Sequence, residues 1–164
     1  MDFRLVNQVE IILVALVLLV SACKPNDIKV KETLAQQAKT LAEAVQNNDF
    51  ELIADYAHPN LIYLFGGKES FLKAYKEDVL SDPHKILKVE FVSAESPIFV
   101  DNGYQSIVYF RTEATLNNEL LESDQAMLAI SDAKGKTWKF VQISGTFEEL
   151  QEFVPEVSKK LFVE

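Results

Sequence analysis

Cysteine occurs once in this 164-residue chain, at Cys23, and that scarcity excludes a good deal. No intrachain disulfide is open to the fold, so packing alone must hold it together. The two histidines, His58 and His84, stand at unrelated spacing and cannot join one cysteine in a recognisable zinc site. No metal and no cofactor is expected. Basic side chains are in the minority, 16 against 25 acidic ones. Such a surface repels phosphate backbones, so nucleic acid is not expected as a partner. No low-complexity segment or internal repeat is present.

Apolar residues, by contrast, are plentiful, and one run of them is placed tellingly. Ile11–Ala22 is twelve apolar or small residues long, immediately before Cys23. It suits a secretory h-region and falls short of the roughly 18–20 residues a spanning helix needs. Val20-Ser21-Ala22-Cys23 resembles a bacterial lipobox, which implies cleavage after Ala22 and acyl chains on Cys23. Arg4 is the one basic residue ahead of the run, opposed by Asp2 and Glu10, so an uncleaved anchor or plain secretion stand as alternatives. Lys24 follows the cysteine where an Asp would favour the inner membrane. By resemblance to proteobacterial lipoproteins, this implies an outer-membrane lipoprotein facing the periplasm. The expected organisation is a signal peptide over 1–22, a lipidated Cys23 and short tether over 23–29, and one domain over 30–164. Loss of Arg4, Asp2 and Glu10 leaves 15 basic and 23 acidic side chains, a balance of −8.

Lys24–Asp27 reads as a polar tether, with Asn26 or Asp27 capping a helix that runs to Gln46. Its apolar stripe is Leu34, Ala38, Leu41, Ala42 and Val45. Asp49 caps a second helix with Phe50, Ile53, Ala54 and Ala57 on its buried side, and His58-Pro59 stops it. Leu61–Phe65 reads as a strand, broken by Gly66-Gly67, and a helix follows from Lys68 to Leu80. The rest is mostly β: 86–93, 97–100, 104–116, a tight turn at Asn117-Asn118, 119–131 and 137–144. Thr146 caps a short helix to Phe153, and Pro155 opens a final one over 156–162. Helices gathered early and antiparallel strands gathered late predict an α+β layer, with helices on one face of a curved sheet.

Four segments carry a resemblance. They are Gln46-Asn-Asn-Asp-Phe50, Tyr56-Ala-His-Pro-Asn-Leu-Ile62, Gly67-Lys-Glu-Ser-Phe-Leu-Lys-Ala-Tyr75 and the late strand with Trp138-Lys-Phe140. Over about residues 30–144 the chain resembles the nuclear-transport-factor-2-like superfamily, which includes ketosteroid isomerases and small polyketide cyclases. The resemblance implies a cone-shaped, cystatin-like curved sheet closed by the N-terminal helices over a cavity, often dimerising through the outer face of the sheet. It bears on fold more than on function.

The long strand 104–116 presents two faces. Val108, Phe110, Thr112, Ala114 and Leu116 should meet the helices, since burying Arg111 and Glu113 instead would cost several kcal/mol per ion. Leu87, Val89, Phe91, Val108, Phe110 and Thr112 are therefore the expected pocket lining, with His58 and Tyr63 near its mouth. Family enzymes carry an acid or base inside the cone. The candidates here are His58, Asp55 three residues earlier, and Tyr63, a histidine beside a carboxylate being able to titrate near neutral pH. The bland alternative is that His58 only ends a helix. Glu122 and Asp124 read as a solvated rim. Gly135-Lys136-Thr137 matches the end of a phosphate-binding loop by accident, because Ile130 stands where its first glycine should be.

The expected function is a lipid-anchored, periplasm-facing domain that binds a small apolar ligand or a protein partner without turning it over. A cone-fold isomerase or hydratase using His58 and Asp55 is the first alternative. A structural or assembly role in the envelope is the second, with Tyr109, Arg111 and Glu113 as the contact surface and a homodimer through that outer face open.

Overall fold

A computed structural model describes residues 25–162. Ala22 and Cys23, where cleavage and lipidation are expected, lie outside the described residues. Helix α1 spans Pro25–Gln46, so the expected polar tether shrinks, and Asp27 falls in the first turn, where an acidic side chain suits the helix dipole. Leu34, Ala38, Leu41 and Ala42 are buried along one stripe, as their spacing demands. Asp49 accepts a hydrogen bond from the Leu52 N–H and starts α2, Phe50–Tyr56.

The expected strand at Leu61–Phe65 is instead a short helix. Ala57 is extended, the His58 ring nitrogen Nδ1 accepts from the Asn60 N–H, and Pro59 opens α3, Pro59–Leu64. A capping side chain and a proline preset for the first helical turn outweigh the β-favouring run Leu61-Ile62-Tyr63. Helix α4, Lys68–Ser81, follows with Phe71 buried.

Five strands then form one antiparallel sheet: β1 Lys85–Ala94, β2 Ile98–Val100, β3 Gly103–Leu116, β4 Glu119–Ser131 and β5 Trp138–Gln142. The order is β1-β3-β4-β5, with β2 also on β3, end to end with β1. Asn117 and Asn118, at φ 51° and 67°, make the β3–β4 turn whose backbone twist matches the strands. Gly103 is required where β3 passes β4, because a Cβ there would lie 2.1 Å from the Ser131 carbonyl oxygen. The edge of β5 is covered by the α2–α3 junction: Ala57 bridges Phe140, and the His58 N–H bonds the Phe140 carbonyl at 3.0 Å.

The helices cover the inner face, packing Leu34, Ala38 and Leu41 against Val108, Phe110, Trp138 and Phe140. Burial of each large side chain contributes about 1.5–3 kcal/mol. The Trp138 Nε1–H has no acceptor among the described residues. A second core lies on the outer face. Thr146 and Glu149 form a reciprocal capping box at the start of α5, Phe147–Phe153. This helix and the chain beyond it lay Leu150, Val154, Val157 and Leu161 over Ile107, Leu128 and Val141. The final helix expected over 156–162 reduces to a 3₁₀ turn at Lys159–Leu161, where the Gln105 side chain takes the Glu156 carbonyl that a helix would use and accepts from the Ser158 N–H. The architecture is α+β: an open five-stranded antiparallel sheet with helices packed on it.

Candidate functional site

Between the C-terminal half of α1 and the inner face of the sheet lies a cavity of about 270 Å³. Helix α1 supplies Leu41, Ala42 and Val45 to its wall, and the deeply buried Ile53, Phe110 and Phe140 close it on the core side. Its polar edge consists of Tyr56, Tyr75, Thr112, Gln125 and Gln142. The rings of Tyr56 and Tyr75 are fixed by aromatic packing, edge-on to Phe140 and stacked on Phe71 respectively. Burial, and then the Asp78 carboxylate, pushes the Tyr75 phenol upward, so it stays neutral and able to donate. No charged side chain is in the lining.

Of the residues expected in the lining, Val89, Phe110 and Thr112 face the cavity. Phe91 and Val108 share their face of the sheet but are packed into the core beside it. Leu87 is not part of the wall. A register shift between Ile86 and Lys88 interrupts the alternation of β1, and Leu87 is 44% exposed. The sequence reading missed the amides. Gln125 lies on the β4 face that carries Met127 and Ala129, and that period-two position was the available signal.

His58 and Asp55 do not form a pair. His58 is 4% exposed, and its Nε2 lies 3.1 Å from the Glu156 carboxylate on the C-terminal segment. The N–H of Asn60 donates to Nδ1, so the ring is neutral with its proton on Nε2. Burial lowers the His58 pKa below its ordinary 6.5, opposed by Glu156 and reinforced by Lys139. Asp55 is turned to solvent, where the hydrogen bond and charge of Lys68, at 2.6 Å, lower its pKa. Tyr63 is 82% exposed on α3. The three candidate catalytic side chains thus point in three directions, and none is in the cavity wall. His84 bonds its neighbour Asp82 through both its ring Nδ1 and its backbone N–H.

The outer-face candidates are engaged within the chain. Arg111 makes two bonds to the Asp124 carboxylate, at 2.8 and 3.1 Å, across the β3–β4 pair. The Tyr109 hydroxyl donates to Glu95 at 2.7 Å, and Glu113 lies 3.8 Å from Lys88. These are exposed pairs of small energetic weight. The Asp132 carboxylate organises the Gly135 turn, accepting from the Lys134 and Lys136 N–H groups and the Thr137 hydroxyl. Among the described residues no cluster of three metal-ligating side chains occurs, and no helix is long and apolar enough to cross a membrane.

No protein-family model matches the chain, and a comparison with curated proteins returns no match. One solved structure of related shape is a Catenulispora acidiphila protein in complex with S-DNPA. It is 16% identical, with a TM-score of 0.49, over 68% of this chain and 86% of that one.

Proposed function

We propose that this chain is a lipid-anchored, periplasm-facing binding protein of the nuclear-transport-factor-2-like cone type, which holds a small apolar ligand under α1 without transforming it. One observation carries the reading. The cavity is walled by aliphatic and aromatic side chains, carries a few uncharged polar groups, and has neither carboxylate nor imidazole in its lining. Such a wall selects an apolar body and orients it, and sets no carboxylate or imidazole base beside its tyrosine phenols for proton transfer. The His58–Glu156 pair joins the sheet's edge to the C-terminal segment and serves the fold.

Titration with the neutral fluorophore N-phenyl-1-naphthylamine tests the reading. Saturable binding to the wild-type domain is expected. Ala42→Phe, which fills the cavity from α1, should weaken it by roughly tenfold or more while the far-UV circular dichroism is retained. Absence of saturable binding, or binding that Ala42→Phe leaves unchanged, would show that the cavity is not the site.

A further inference from the structure

We infer that this cavity selects an uncharged ligand: an apolar body bearing one neutral hydrogen-bonding group, a ketone, hydroxyl or amide, met by Gln125 and Gln142, with carboxylates and sulfonates rejected. The inference rests on the cavity reading above and adds the ligand's chemistry to it.

Three features of the wall lead there. First, its polar groups are unspent. The side chains of Tyr56, Tyr75, Thr112, Gln125 and Gln142 make no hydrogen bond to another described residue, although all five line the cavity. Hydroxyls and amides in that position can meet a ligand's neutral donor or acceptor. Second, they are graded. Tyr56, Tyr75 and Thr112 are half-buried while Gln125 and Gln142 are exposed, so the apolar body enters first and its polar end meets the two amides. Third, the neighbouring cations are engaged. Lys68 binds Asp55 at 2.6 Å and Glu51 at 3.1 Å, and Lys139 donates to the Asp55 carbonyl. Nothing in the wall compensates a buried anion, and the surplus of acidic side chains on the chain opposes one further.

The test uses one ring system with three ends: 2-acetylnaphthalene, 2-naphthoate and 2-isopropylnaphthalene, each displacing N-phenyl-1-naphthylamine from the folded domain at pH 7.5. The ketone should compete roughly tenfold or more better than the carboxylate, and measurably better than the hydrocarbon. Gln125→Leu combined with Gln142→Leu should abolish the ketone's advantage over the hydrocarbon while leaving hydrocarbon binding intact. These positions are exposed, so the fold should tolerate the change. Naphthoate competing as well as the ketone would overturn the inference and leave the binding reading standing, as would displacement by none of the three. Failure of the fluorophore itself to bind would overturn both.

Discussion

His58 and Glu156, 98 residues apart, meet at 3.1 Å and tie the α2–α3 corner to the C-terminal segment. The junction is reinforced from two sides. The Asn60 amide donates to the Phe153 carbonyl at 2.8 Å. The buried Gln105 side chain donates to the Glu156 carbonyl at 2.6 Å and accepts the Ser158 N–H at 2.8 Å. A neutral imidazole is built into this arrangement, since Nδ1 must accept from Asn60 while Nε2 donates to Glu156.

The stability of the domain should therefore fall as pH drops below about 6.5. With the folded pKa of His58 lowered, the unfolded chain binds the proton first, and stability is lost progressively toward the folded pKa. Urea midpoints between about pH 7.5 and 5 measure this above the usual carboxylate range. His58→Asn, which keeps an acceptor for the Asn60 N–H, should flatten that slope. An equal slope in wild type and variant would remove His58 as its source.

Gln105→Ala should loosen the C-terminal segment. The substitution leaves the Glu156 carbonyl and the Ser158 N–H, both in part-buried hydrogen bonds, without their protein partner, at up to about 1–3 kcal/mol each where water cannot replace it. Hydrogen exchange should then lose protection at Val157 and Leu161 before it does so in β3 and β4. Release would uncover Ile107, Leu128 and Val141, so self-association on size-exclusion chromatography with light scattering should rise. Uniform protection across the molecule would show that the segment is not a separable unit.

Much of this architecture is legible in local sequence, and what is not has a common physical origin. The stripe of α1, the Asp49 and Thr146 caps and the Asn117-Asn118 turn are set by residues within a few positions of one another. Leu61–Phe65 misleads because side chain preference favours a strand, while His58 and Pro59 just ahead of it dictate a helix. The bulge that turns Leu87 outward has no glycine to mark it. Glu156 as partner of His58, and Gln105 as the reason the last helix fails, are long-range pairings that no spacing rule exposes. In the cavity, the apolar strand positions Val89 and Phe110 follow from alternation, whereas Tyr56 and Tyr75 needed the crossing of helix on sheet.

Cys23→Ser should move the protein from the membrane fraction to the soluble one, or stall its processing. The same variant should bind the neutral fluorophore as tightly as the unsubstituted protein. Leu41 lies sixteen residues beyond Pro25, roughly 24 Å along the axis of α1, so the cavity is at the far end of that helix from the tether. Unchanged membrane association, with a mature N-terminus elsewhere than Cys23, would refute the lipid anchor.

Trp138 and Phe140 are both 1% exposed on β5, yet they should respond differently to truncation. Phe140→Ala removes the ring that Tyr56 packs against and joins the vacated volume to the cavity under α1, at a cost of about 3–5 kcal/mol. That is a large share of a small domain's stability. Trp138→Phe also loses buried surface, but it removes an indole N–H that has no acceptor among the described residues. Deleting an unsatisfied donor returns about 1–3 kcal/mol, which offsets much of the packing lost. Equilibrium urea unfolding should place Trp138→Phe within about 1.5 kcal/mol of wild type and far above Phe140→Ala. A loss on Trp138→Phe as large as that of Phe140→Ala would mean that the indole N–H is satisfied in solution, most simply by a buried water held between it and the core.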